Sequence, residues 1–421
     1  MLAATFCIYD KPGIVGGPTS WILWLLPELR NFGIESTCLV LLHTGEPGPV
    51  SAALEKGGFR VISTQAHRYT EDRVRWILEQ LREHRCDVFV PNEVPAAYHA
   101  ARWVREAGIP TVGILHTDGA ASKATQDLFV FGKPAFSLNA LVCVSMEIER
   151  QVLSRQPRNT GVHRIPYGAH LPVLEIRPHP EILRIAYVGR LAEEQKRIGK
   201  LAGAFCRAVA EVPGTEAVLY GDGPERGVME RVLIAEGKDL PVSWGGRLEH
   251  DQVIDALRKI DVIVLLSDYE GLPVSLMEAM ACGCVPVCLR AESGIPELVE
   301  HDVTGLLVDD RGDGFVEAIR RLREEDGLWK RLATGARSRI EEAYSHDVCV
   351  RGWSEMLHEL ARAARPSLIR IPKFLGLQPA NAAIEFPADR IPRSLPFIRF
   401  CRRSRMALGR ARRRLLGQPL P

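Results

Sequence analysis

Short apolar runs alternate with longer amphipathic segments through most of this sequence, and no other feature restricts its fold as strongly. In the first half the runs predicted as strands are Ala4–Ile8, Thr37–Leu42, Arg60–Ser63, Asp87–Val90, Thr111–Leu115, Leu141–Val144 and Val162–Ile165. In the second half they are Arg184–Val188, Ala217–Tyr220, Pro241–Trp244, Val262–Leu266, Val285–Leu289 and Gly305–Val308. Helical segments such as Thr70–Arg85, Pro95–Ala107, Lys200–Glu211, Pro224–Glu236 and Gln252–Lys259 fall between them. A strand, a crossover helix and a second strand give parallel pairing, and a parallel sheet must be covered on both faces. The pattern therefore predicts an α/β protein.

The stretch Tyr167–Pro180 carries three prolines and no clear period, so it reads as a linker. It divides a 421-residue chain into halves that each have room for a sheet and a core. The expected organisation is a first domain over 1–170, a second over 171–362 whose last helix can pack back on the first, and a tail over 363–421. Two doubly wound domains facing each other across a cleft follow. Ligands of such sheets bind beyond the carboxyl ends of the strands, so functional residues are sought just after strands.

Composition removes several classes. Apolar residues make up 46% and charged residues 25%, which is ordinary for a globular chain. The apolar run Trp21–Leu26 meets Pro27 and Glu28, too short for a membrane span. The opening M-L-A-A-T-F-C-I-Y-D lacks a basic n-region, so no secretory signal is read there. Of ten cysteines only Cys282, Cys284 and Cys288 cluster, without a nearby histidine, and reduced thiols in a cytoplasm account for them more simply than a metal. The net charge of +2 hides an asymmetry: from Arg365 onward there are 13 Lys and Arg against 2 Asp and Glu, which leaves the body acidic. An acidic body gives no footing to a nucleic-acid partner.

Five stretches after predicted strands carry chemistry. Gly13, Gly16, Gly17, Thr19 and Ser20 follow the first strand and open a helix, where backbone N–H groups can meet an anion. It is not a P-loop, because no G-K-[ST] follows. His116 closes the strand Thr111–Leu115. Arg190 and Lys196 follow the strand that opens the second half, and two cations beside a glycine turn suit a diphosphate. Gly221–Pro224 begins like a dinucleotide fingerprint but lacks the third glycine. Tyr269–Gly283, Y-E-G-L-P-V-S-L-M-E-A-M-A-C-G, sets Glu270 on a loop and Glu278 on a helix whose first amides lie near Gly271–Val274. That spacing can present a carboxylate to a sugar hydroxyl, a helix N-terminus to a phosphate and a second carboxylate to a ribose diol. Each of these stretches can equally be an ordinary turn, or solvated charge on a surface loop.

Taken in order, G-G-P-T-S, His116, I-P-Y-G, V-G-R-L…K, G-D-G-P, E-G-L-P-V-S-L-M-E-A-M-A-C-G, S-G-I-P-E-L-V and T-G-L-L-V resemble the retaining group 1 glycosyltransferases of GT-B fold, over roughly residues 1–362. The resemblance implies two Rossmann-like domains and a nucleoside-diphosphate sugar donor, UDP- or GDP-linked, held mainly by the second. Arg190 and Lys196 would hold the diphosphate, Glu270 the donor sugar, backbone around Leu272 and Pro273 the phosphates, and Glu278 the ribose. Arg247 and Leu248 would border the base, Gly17 would lie near the phosphates, and His116 would touch the sugar near the reacting centre. No cofactor is implied, and with no D-x-D motif no metal is expected. Tyr167 stands where the family commonly has Asn, and His170 where Asp is common. The acceptor, a glycan, a lipid-linked glycan or a small molecule, is not named by any motif; Asp118–Ser137 is a candidate wall for it.

The tail lies outside the resemblance. Between Phe397 and Leu416 apolar residues recur at helical spacing with arginines on other faces, which suits a basic amphipathic helix on an anionic membrane surface. A disordered tail, or a helix docked on the acidic body, explains the pattern as well. The expected setting is the cytoplasm, with the tail able to reach the inner membrane face. Alternative functions are an epimerase or phosphorylase of the same fold, and a catalytically silent donor-binding subunit; loss of His116, Lys196 or Glu270 would have favoured the last.

Overall fold

The structure, a computed structural model, describes all residues except 11–16, 43–45, 65–68, 174–178, 292–293, 380, 382 and 385–421, and only the backbone of 17–20 and 250–251. The first half holds strands β1 (Leu2–Asp10), β2 (Ile34–Leu42), β3 (Arg60–Thr64), β4 (Val88–Pro91), β5 (Val112–Leu115), β6 (Ala140–Cys143) and β7 (Gly161–Arg164). Its helices are α1 (Gly17–Asn31), α2 (Pro49–Lys56), α3 (Thr70–Glu83), α4 (Pro95–Glu106), α5 (Ala120–Phe129) and α6 (Met146–Ser154). The second half holds β8 (Leu183–Val188), β9 (Thr215–Tyr220), β10 (Val242–Gly246), β11 (Val262–Leu265), β12 (Val285–Leu289) and β13 (Leu306–Val308). Its helices are α7 (Glu193–Lys196), α8 (Ile198–Glu211), α9 (Arg226–Glu236), α10 (His250–Leu257), α11 (Val274–Ala281), α12 (Ile295–Leu298), α13 (Asp313–Glu324), α14 (Leu328–Ala343) and α15 (His346–Ala363).

Every strand read from the sequence is present, and every pairing between them is parallel. The second sheet runs β10-β9-β8-β11-β12-β13; the first half has β3-β2-β1-β4 and β5-β6-β7, linked by a bridge from Phe89 to Thr111. The order reverses on either side of β8, and again on either side of β1. At such a switch point the loops leaving two neighbouring strands splay apart and open a crevice. The loops after β8 and β11 flank one crevice; Asn92, after β4, borders the other.

Local chemistry explains several boundaries. β4, β5, β6 and β11 are buried at every residue, which is why they read as continuous apolar runs rather than alternating ones. α4 starts with Pro95, whose missing N–H costs nothing in the first turn. α6 is capped by Ser145, which accepts from the Ile148 N–H at 3.3 Å. The apolar run that stops at Pro27 does not end the helix there: α1 continues to Asn31, carried past the proline by the fully buried Leu26 and Leu29. The expected helix over Pro224–Glu236 begins two residues later, after a turn.

The last helix packs against α1, β1 and β4. Its buried Trp353 meets Trp21 with ring centroids 5.3 Å apart and Phe6 at 6.4 Å. The described start of the tail, from Ala364, has no helix. It runs along the first half: Ser367 N–H donates to Ala107 O at 2.7 Å, Arg75 reaches Pro372 O at 3.0 Å, Ile369 is buried and Gln378 donates to Leu128 O at 2.8 Å. The amphipathic stretch expected at 397–416 lies outside the described residues.

Candidate active site

Residues far apart in the sequence meet at the crevice between β8 and β11. α7 is a single helical turn on the loop after β8, and it carries Gln195 and Lys196. The loop after β11 carries Glu270. Lys196 Nζ pairs with Glu270 Oε1, and Gln195 Nε2 donates to Glu270 Oε2 at 3.1 Å and to Tyr269 O at 2.7 Å. The two charged side chains are only 15% and 7% exposed, so each ion has given up most of its water and depends on the other. Arg190, on the same loop, is exposed and has no ion-pair partner among the described residues.

Behind Glu270, α11 points its N-terminus at the same crevice. Leu272 and Pro273 are buried, and Pro273, as N-cap, offers no side-chain acceptor to the first amides of the helix. The free N–H groups and the helix dipole leave a positive pole there. Glu278 lies on the helix, half-buried, with no hydrogen-bond or ion-pair partner for its carboxylate among the described residues. Burial pushes its pKa up from 4.5 to about 7. A carboxyl left in this state is a candidate for a ligand contact, because nothing in the fold itself uses it.

The first half contributes His116. Its ring is buried between Tyr167, stacked with ring planes 7° apart, and Trp21, edge-on at 5.8 Å. Nε2 lies 2.6 Å from Asn92 Oδ1, an acceptor, so Nε2 carries the hydrogen. Burial pushes the imidazole pKa down to about 3, so the ring is neutral and Nδ1 accepts from the Tyr167 hydroxyl. Both ring nitrogens thus have partners within the first half. The two halves meet at this point. A Cβ at Gly271 would lie 2.9 Å from the His116 carbonyl oxygen, so only glycine lets the Glu270 loop approach so closely. A second contact joins the halves nearby: Glu297 Oε1, on α12, accepts from Met146 N–H at 2.6 Å, at the N-terminus of α6. Burial raises the Glu297 pKa, and the amide bonds at the helix start work against that rise.

The remaining candidates are placed less centrally. Gly17 is the first residue of α1, while Gly13 and Gly16 lie outside the described residues, as does Ser293. Arg247 and Leu248 follow β10 at the sheet edge, with Arg247 paired to Glu249 at 3.4 Å. The Gly221–Pro224 turn has a packing reason: Gly221 has φ 138°, and a Cβ there would fall 1.8 Å from Gly189 O. These glycines fit two loops together. The nine described cysteines, Cys282, Cys284 and Cys288 among them, are buried and form no disulfide. Among the described residues no His, Cys, Asp and Glu side chains gather in a metal-holding group, and no helix is long and apolar enough to cross a membrane. Gln195 and Asn92 escaped the sequence reading. Asn92 was within its reach, since it follows β4 as His116 follows β5; Gln195 needed the one-turn geometry of α7.

Known proteins share this architecture. The lipopolysaccharide outer core galactosyltransferase WaaB in its apo form superposes with a TM-score of 0.68 at 18% identity, covering 85% of this chain and 99% of its own. Anabaena Alr3699/HepE in complex with UDP-glucose superposes at 0.66 with 17% identity, covering 85% and 100%. These likenesses establish the GT-B fold. In sequence, the amylovoran biosynthesis glycosyltransferase AmsK of Erwinia amylovora is 34% identical over 189 residues, 42% of this chain and 45% of that protein. The N-acetyl-alpha-D-glucosaminyl L-malate synthase of Bacillus anthracis is 31% identical over 170 residues, 40% and 43%. This chain thus aligns with less than half the length of these curated relatives. Residues 183–325, which carry all six strands of the second sheet, Lys196, Glu270 and Glu278, match the glycosyl transferases group 1. Over this segment the chain is similar to the group 1 glycosyltransferases.

Proposed function

We propose that the protein is a retaining, metal-independent glycosyltransferase of the hexosyltransferase type. It moves a sugar from a nucleoside-diphosphate sugar onto a glycan, a lipid-linked glycan or a small molecule, in polysaccharide or glycoconjugate synthesis. The observation that carries the reading is the Lys196–Glu270 pair beside the uncapped start of α11, set against the His116 carbonyl across Gly271. The neighbour HepE, solved with UDP and with UDP-glucose, supports a UDP-sugar as donor.

In this reading Arg190, Lys196 and the first amides of α11 hold the diphosphate, with backbone around Leu272 and Pro273 beside it. Glu270 accepts from hydroxyls of the donor sugar, and Glu278 from the ribose diol. Arg247 and Leu248 border the base, Gly17 lies near the phosphates, and His116 lies near the reacting carbon. The bond from the anomeric carbon to the leaving phosphate oxygen breaks as the acceptor oxygen bonds to the same face. The acceptor proton passes to the departing oxygen, so no protein base is required. Charge growing on the leaving group is stabilised by the two cations and the helix start, which are in place before the reaction begins. The basic tail brings the enzyme to the inner face of a membrane in the cytoplasm.

The test is thermal unfolding against UDP-, GDP- and ADP-sugars, with EDTA and separately with a divalent cation added, followed by the anomeric configuration of the product. A donor at a hundred times its Kd stabilises the native state by about 2.7 kcal/mol. A shift with one base and a retained anomer are expected. No shift with any of them, or a shift that needs a divalent cation, would refute the donor site as drawn.

A further inference from the structure

The turn that carries Lys196 ends on a residue in an unfavourable conformation. Arg197 has φ 51° and ψ 50°, the left-handed region that glycine adopts at no cost, and it joins α7 directly to α8. Such a residue persists only where its surroundings over-determine it. Those surroundings are specific. Arg197 Nε donates to Asp268 Oδ2 at 2.6 Å, and the other Asp268 oxygen accepts from Arg311 Nη2. Arg311 Nε is itself anchored on Leu266 O at 2.9 Å, and Asp268 N–H donates to Gln195 O at 3.0 Å. Asp268 therefore lies between two arginines, two residues before Glu270, while Arg197 follows Lys196. One clamp grips both loops of the Lys196–Glu270 pair from the outside.

We infer that Arg197, Asp268 and Arg311 act as one positioning unit that holds Lys196 against Glu270. Among the described residues the side chains of the three make no hydrogen bond or ion pair to Lys196 or Glu270; they pair with one another. Arg197 fixes where α7 stops, Asp268 fixes the start of the Glu270 loop, and Arg311 ties both to the strand end at Leu266. An isolated half-exposed ion pair holds little, but a carboxylate held from two sides by arginines, one of them anchored on backbone, has few other arrangements open to it. The inference deepens the donor-site reading and rests on it for its consequence in turnover.

Arg197→Gly separates the two properties of the residue, since it keeps the left-handed backbone and removes the guanidinium. Two measurements on the full chain decide. The first is the rate at which acetic anhydride acylates Lys196, read by mass spectrometry without any ligand; it is expected to rise severalfold. The second is donor kcat/KM, expected to fall about tenfold or more through misplacement of the cation, with Tm not lowered. Asp268→Asn should do the same, and the double variant should be no worse than either single one. An unchanged Lys196 acylation rate in Arg197→Gly overturns the inference whatever the donor proves to be. Faster acylation with wild-type kcat/KM keeps the clamp but overturns the donor-site reading beneath it.

Discussion

Replacing Glu278 by Gln should make the unliganded protein more stable and its donor binding weaker. Burial holds this carboxyl at about 7 in the native state, against 4.5 without the fold. The native state therefore prefers the protonated form, by an amount that the linkage relation puts at about 3 kcal/mol at most. The side chain is only half-buried and water reaches it, so about half that figure is the better expectation for the measured effect. The sign follows from the direction of the shift. Below pH 4.5 Glu278 is protonated in both states and costs nothing. As pH rises from 4.5 through about 7 the native state has to take on a partnerless charge, and stability is lost. Glu278→Gln has no charge to take on. The stability difference between the variant and the wild type should be near zero at pH 4.5, grow through pH 7 and level off above it, as read from urea unfolding across that range. In the same protein the donor should bind more weakly above pH 7, because the amide offers one acceptor oxygen where an ionised carboxylate offers two. A stability difference independent of pH would refute the burial argument, and undiminished donor affinity would refute the contact to the ribose.

Other substitutions test the rest of the site. Lys196→Ala should lower turnover by at least about a hundredfold, as loss of a charge-stabilising group does, and Glu270→Ala by at least about tenfold, because the donor sugar is then misplaced. In Lys196→Ala the Glu270 carboxylate keeps its bond from Gln195, so folding should lose no more than about 3 kcal/mol; wild-type rates in either variant would place the donor elsewhere. His116 should stay neutral across pH 5–8, visible in the imidazole nitrogen shifts, since burial holds its pKa to about 3. It contributes stability present above pH 6.5 and lost as pH falls toward about 3, and a midpoint near 6.5 would contradict the buried, doubly bonded ring. Tyr167→Phe leaves Nδ1 buried without its donor and should cost about 1–2 kcal/mol in chemical denaturation. Glu297→Ala removes the carboxylate from the start of α6 and should cost about 1–2 kcal/mol. Proteolysis within 167–180 should then quicken, whereas an unchanged cleavage rate would mean the contact does not hold the halves together.

Strands such as β4, β5, β6 and β11 could be read from the sequence because each is a run of apolar side chains buried on both faces, a property of neighbouring residues alone. The parallel arrangement followed from helices lying between them, and the location of function at strand ends followed from the arrangement. That is why Arg190, Lys196, Glu270 and His116 could be picked out without coordinates. What each does to the others could not. Lys196 and Glu270 are 74 residues apart, and only the reversal of strand order beside β8 brings their loops together. The same holds for His116, whose charge state depends on Asn92, Tyr167 and Trp21, drawn from three other stretches of chain. The left-handed Arg197 left no mark in composition or period, because the contacts that hold it there, at Asp268 and behind it at Arg311, are distant in sequence. Sequence determined which segments had to be buried, since hydrophobic burial is a local and additive demand. The tertiary structure decided which charges were stripped of water and which partner each then found, because desolvation and ion pairing depend on whatever the folded chain brings within a few ångströms.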